Sequence, residues 1–184
     1  MNYCTHCGTS LRRGIPEGDD RPRYICDSCG TIHYQNPKLI AGCIPVWQDR
    51  ILLCKRAIEP RLGYWTLPAG FMELGETLPD AARREAREEA NIEVEIESVY
   101  TIFSLPHISQ VYVFFRAHML EERYSAGSET LEARLFREDE IPWNEISFET
   151  VYRSLRLFFA DRKQGIYTFR METIAPDPRR MRGD

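Results

Sequence analysis

Four cysteines fall in two C-x2-C pairs, Cys4 to Cys7 and Cys26 to Cys29, with eighteen residues between the pairs. That spacing matches a four-cysteine zinc site. It constrains the first 34 residues more than any other feature does. A segment this short buries too little apolar surface to fold alone, and a bound metal can fold it. Gly8 and Gly30 each follow a pair and allow the tight turn that brings both sulfurs to one metal. Tetrahedral zinc with four thiolates has no open position for water, so the expected role of Cys4, Cys7, Cys26 and Cys29 is structural. A redox dithiol would need only one pair. The opening "MNYCTHCGTS" has no basic region followed by an apolar run, so it is not read as a secretory signal. A cytoplasmic location is expected by default, and there thiols stay reduced. Cys43 and Cys54 sit in strand-like runs and read as small core residues.

The rest of the chain suits one α/β domain, expected over residues 35–174, with a disordered tail over 175–184. Hydrophobic residues make up 43% and charged residues 28%, a globular balance. The net charge of −4 at pH 7 disfavours nucleic acid or an anionic membrane as partner. No apolar run reaches the roughly 18 residues of a membrane span. "LIAGCIPVW" and "RILLCKRA" read as strands, as do parts of "IEVEIESVYTIFSL", "QVYVFFRAHML", "ARLFRED" and "IYTFRMETI". Thr77 can cap a helix from about Leu78 to Ala90, with Asp80 completing a weak capping box. Leu78, Ala82, Ala86 and Ala90 form its apolar stripe. Asn91 falls where a left-handed residue ends a helix. A second helix is expected in "SFETVYRSLRLFFADRKQG", with Ser147 as cap and Val151, Leu155, Phe158 and Phe159 inward.

The first helix raises a chemical question. Glu85, Glu88 and Glu89 lie within roughly 100° of arc, behind a loop punctuated by Gly70 and Gly75. Like charges at this spacing repel. Arg84 can fork to one carboxylate and fix its rotamer. Hard carboxylate oxygens without His or Cys suit Mg²⁺ or Mn²⁺, cations that bridge phosphate oxygens and activate water. The plainer alternative is a solvated charged face.

From Gly70 the pattern reads G, five residues, E, seven residues, R-E-A-x-E-E-x-N-I. This resembles the signature of the Nudix hydrolases at nearly every defining position. Asn91 stands where that family usually has glycine. The four-cysteine segment ahead of it resembles the arrangement in NADH diphosphatases, although the "SQPW" element of those enzymes is missing. "CGTIHYQNPK", "LLCKR", "WTLPAGFMELGE" and "ETLEARLF" are closer to zinc-ribbon Nudix proteins of the FAD/ADP-ribose diphosphatase type.

The resemblance implies a Nudix α/β/α sandwich with a mixed sheet, preceded by a small zinc ribbon. It implies that Glu85, Glu88 and Glu89 are metal ligands, one of them helping to activate water. Glu76 and Arg84 would order the helix through a salt bridge. The Gly70 carbonyl would complete the metal shell, and Glu129 would be a further ligand or general base. Phe71, Phe103 and Tyr112 are candidates to stack on a planar base. A homodimer is common in the family.

The reaction expected is metal-dependent hydrolysis of the diphosphate in FAD, ADP-ribose or a nicotinamide dinucleotide, giving AMP and the other half. RNA-cap or damaged-nucleotide hydrolysis uses the same motif. A zinc-ribbon binding module with little catalysis is the rival from another class.

Overall fold

The structure, a computed structural model, describes residues 1–176. The expected tail lies outside the described residues from 177 onward. Met1–Pro37 form one compact unit and the chain from Lys38 a second. Residues 35–37, expected in the second domain, thus cluster with the ribbon. The ribbon is a three-stranded antiparallel sheet of β1 (Arg12–Gly14), β2 (Arg23–Ile25) and β3 (Ile32–His33).

The second unit contains β4 (Lys38–Trp47), β5 (Arg50–Arg56), β6 (Trp65–Thr66), β7 (Ala69–Phe71), α1 (Leu78–Ala90), β8 (Val94–Leu105), β9 (Gln110–Met119), β10 (Thr130–Phe136), α2 (Glu149–Gln164) and β11 (Arg170–Thr173). The eight-stranded sheet runs β10-β5-β4-β9-β8-β11, with β6 on β5 and β7 on β4. β4 with β9 and β11 with β8 are parallel, whereas the other pairs are antiparallel. The sheet is therefore mixed.

Alternation along the central strands builds a core on each face. Ile44, Leu53 and Phe114 pack with Val151, Leu155, Phe158 and Phe159 of α2. Their neighbours Cys43, Leu52, Cys54, Val113 and Phe115 pack with Ala82, Ala86 and Ala90 of α1. The helices thus cover opposite faces, giving an α/β/α sandwich, and both inner cysteines are core residues. Each large apolar side chain so buried contributes roughly 1.5–3 kcal/mol.

Local signals explain the ends of α1. Asp80 N–H donates to Thr77 Oγ1 (3.3 Å), and the hydroxyl donates to Asp80 Oδ2 (2.6 Å). Asn91 ends the helix in the left-handed region, φ 51° and ψ 39°. The start of α2 departs from expectation. Phe148 takes the cap position without a side-chain hydrogen bond, and Ser147 is buried with its hydroxyl unpartnered. Ser147 N–H is committed to Trp65 O (2.9 Å), a tie to β6 that places Ser147 one residue ahead of the cap.

Asp161 locks α2 to the sheet edge. It is 4% exposed and accepts from both Nη atoms of Arg170 (2.7 Å each), Tyr100 Oη (2.9 Å) and Thr168 N (3.0 Å). Arg170 first, then Thr168 N–H and Tyr100, lower its pKa from 3.8 to about 2. A depressed carboxyl stabilises fully above its unfolded pKa, and that contribution is lost as pH falls through the folded value. Asp161→Asn is expected to cost about 3 kcal/mol at pH 7 in urea unfolding. The parent should lose that advantage between pH 3.8 and about 2. A gap between parent and variant that stays constant across this window would reject the assignment.

Candidate active site

The sheet opens a fork where the carboxylate helix begins. β4 and β5 pair only at Val46–Ile51 and Trp47–Arg50. Beyond that, β6 lies on β5 and β7 on β4, so residues 65–71 wedge between the diverging strands. The wedge carries Gly70 against α1, where a Cβ would collide with the Glu85 carboxylate. Gly75 then turns the chain at φ +84° into the Thr77 cap. Strand alternation gives the next residue the opposite role. Phe71 aligns with Ile40, which aligns with Tyr112, which aligns with Phe103. Phe103 and Tyr112 pack on the α2 core, so this aromatic row lies on the α2 face.

Arg84 organises the glutamates. Its Nε and Nη2 grip Glu76 (3.1 and 2.8 Å), Nη2 also donates to Phe71 O (2.9 Å), and Nη1 reaches Glu85 (2.6 Å) and Glu88 (3.0 Å). The expected fork to one carboxylate is thus a clamp on three. Glu76 is held below the usual carboxylate range, first by Arg84 and then by the Glu73 N–H. Glu85, 8% exposed, is pushed up by burial despite Arg84. Glu88 is exposed. Burial and then Glu85 push Glu89 up to about 8, while Arg56 and the Ala69 N–H act against the rise. Gly127 N–H donates to Glu89 O at 2.9 Å, which puts the loop between β9 and β10 beside the helix, and Glu129 on that loop adds to the rise at Glu89.

Of the three ring candidates, Phe103 is fully buried and has no face to offer a ligand, because β8 turns it into the α2 core. Phe71 is 48% exposed, with Lys38 Nζ 4.9 Å from its ring centroid. Tyr112 is partly exposed and stacks on Phe114 at 6.2 Å. Arg56 was missed by sequence reasoning. It shares the face of Leu52 and Cys54 by period two, lies over the Phe148 ring (5.1 Å), and acts on Glu89 and Tyr112. A cation ending a strand whose inward face meets the glutamate helix was the available signal.

The carboxylates offer hard oxygens of the kind Mg²⁺ or Mn²⁺ takes, but among the described residues the glutamates are not drawn together as a ligand cluster, whereas the four ribbon cysteines are. In the ribbon, Sγ atoms of Cys4 and Cys29 are 3.7 Å apart and those of Cys7 and Cys26 3.4 Å. All four lie within 4.8 Å of one another, close to the roughly 3.8 Å edges of a zinc–sulfur tetrahedron. Gly8 and Gly30 take φ +76° and +73°, and each N–H returns to the first cysteine carbonyl of its pair at 2.9 Å. Without a metal the paired thiols split: the Thr9 hydroxyl, then its backbone N–H, lowers Cys7 to about 6, while, against the Cys29 N–H, burial and the neighbouring thiols raise Cys26 to about 11. This donor set fits zinc.

The NUDIX domain family matches residues 36–155, and the Nudix N-terminal family matches residues 2–35. The chain belongs to the Nudix hydrolases. A Nudix hydrolase from Nitrosomonas europaea of known structure superposes with a TM-score of 0.92 at 54% identity, covering 95% of this chain and 99% of that one. An ADP-ribose pyrophosphatase of Methanocaldococcus jannaschii is 30% identical over 115 residues, 59% of this chain and 67% of the relative. The NAD-capped RNA hydrolase NudC of Salmonella heidelberg is 32% identical over 149 residues, 76% of this chain. The match spans about half the length (53%) of that NudC relative. Among the described residues no helix is long and apolar enough to cross a membrane.

Proposed function

We propose that this Nudix hydrolase cleaves the diphosphate of ADP-ribose, FAD or a nicotinamide dinucleotide, releasing AMP. The observation that carries the reading is the Arg84 clamp, which gathers Glu76, Glu85 and Glu88, with Glu89 and Glu129 close by. The names of the M. jannaschii and NudC relatives support this substrate class. Glu85, Glu88, Glu89, Glu129 and the Gly70 carbonyl would hold Mg²⁺ or Mn²⁺. The cation supplies charge neutralisation at the diphosphate and a more acidic bound water.

The residues of the chain do the rest. Arg84 fixes the carboxylate rotamers, and Arg56 offers positive charge to a phosphate. Phe71, the exposed ring beside Gly70, stacks on a planar base, and Tyr112 lies beyond Ile40 on the same face of the sheet. One carboxylate accepts the proton of the attacking water. Water adds to one phosphorus and the bridging oxygen departs with the other phosphate. The ribbon, with one zinc on its four cysteines, has a structural role.

The test is a substrate panel with Mg²⁺ or Mn²⁺: ADP-ribose, FAD, NADH, nucleoside triphosphates and an RNA bearing a 5′ NAD cap, with products separated by chromatography. AMP is expected from the dinucleotides or ADP-ribose, with ATP turned over poorly. Preference for triphosphates would overturn the reading. Preference for the capped RNA would redirect it to the NudC type, and no turnover of any compound would favour a binding module.

A further inference from the structure

Asn91 does more than end a helix. Glycine at a left-handed terminus supplies the backbone shape and nothing else. Here the side chain reaches outward. Its Nδ2 donates to Ser125 O at 3.2 Å and lies 3.4 Å from Ala126 O, the outer edge of hydrogen-bonding range. Ser125 and Ala126 belong to the loop that brings Glu129 to the glutamate helix. The same loop donates backbone N–H groups to the last carbonyls of α1: Ser125 to Ala90 (3.0 Å) and Gly127 to Glu89 (2.9 Å). The approach is close enough that a Cβ on Gly127 would strike the Glu88 carbonyl. At its far end the loop is held by Ala57 N–H to Glu129 O (2.9 Å).

We propose that the Asn91 amide is a positioning group for Glu129: it pins the 125–129 loop to the end of the glutamate helix and so sets where the Glu129 carboxylate stands relative to Glu89. The inference rests on the functional reading of Glu129. None of the loop's backbone ties uses an atom of residue 91, so the amide sets the loop's exact seat rather than its presence. That separates the fold from the chemistry, and it makes the side chain testable without unfolding the protein.

The experiment is a double-mutant cycle on ADP-ribose hydrolysis with Mg²⁺, using Asn91→Gly, Asn91→Asp and Glu129→Gln. Glycine keeps the left-handed turn and removes the amide. Aspartate keeps the side-chain shape and removes the donors. Each is expected to lower kcat about threefold to tenfold with KM little changed and urea stability close to the parent. Amide exchange at Ser125 and Gly127 should quicken in both. On the Glu129→Gln background the residue 91 changes should have no further effect on kcat.

Parental kcat in both residue 91 variants, with Glu129→Gln impaired, overturns the positioning role and leaves that of Glu129 standing. Equal losses on both backgrounds also overturn it, because Asn91 would then act elsewhere. Parental kcat in Glu129→Gln alone removes the role of Glu129, and the inference with it.

Discussion

Glu88→Gln is expected to lower turnover of ADP-ribose or FAD by about 10²–10⁴. The substitution keeps the shape of the side chain and removes one charge from the donor set. Its effect on metal-free stability should be small. Relieving a like-charge contact on a helix contributes roughly 0.2–0.5 kcal/mol. Loss of the 3.0 Å bond to Arg84 works the other way, at a position where the carboxylate is largely solvated. Added Mg²⁺ should raise the melting temperature of the parent more than that of the variant, because only native-state binding stabilises. A solvated charged face predicts neither result. Near-parental turnover together with the parental Mg²⁺ response would sink the metal-site reading of α1.

Cys26→Ser is expected to empty the ribbon of zinc, from about one ion per chain by elemental analysis. Apparent zinc binding in small modules is worth about 10–16 kcal/mol at neutral pH, far more than three strands of two or three residues can replace. Proteolysis should then cut within Met1–Pro37 quickly. The domain from Lys38 should keep its slow amide exchange, since its own strands and helices build its two cores. Unchanged zinc content, or an intact ribbon without zinc, is the result that rejects the four-cysteine site. Because the site is closed, folding of the ribbon should suffer before chemistry does.

Features carried by short-range spacing were legible in the chain itself. The C-x2-C pairs, the Thr77 cap, the Ala82–Ala86–Ala90 stripe and the left-handed Asn91 each depend on residues a few positions apart, and each has its expected local geometry. The inward face of α2 was legible for the same reason. Ser147 departs from its expected cap role because its backbone is committed to Trp65, a contact that no local pattern reveals. Phe71 and Phe103 look alike as aromatic residues near the motif, yet one is half exposed and the other sealed. The difference comes from where β7 and β8 sit in the sheet.

The glutamate set illustrates both kinds of information. Helical periodicity alone puts Glu85, Glu88 and Glu89 on one face and makes their repulsion a question. The answer requires neighbours distant in sequence: Gly70 on the wedge strand, Arg56 at the end of β5, and Glu129 and the Asn91-tethered loop. These residues are 15 to 40 positions from the helix residues they approach, and no fixed period links them. Periodicity and capping are properties of a few consecutive residues, so the chain displays them directly. The meeting of a strand end, a wedge and a loop at one helix depends on sheet order and register. Those are set when two cores are buried at once, and only the folded packing specifies them.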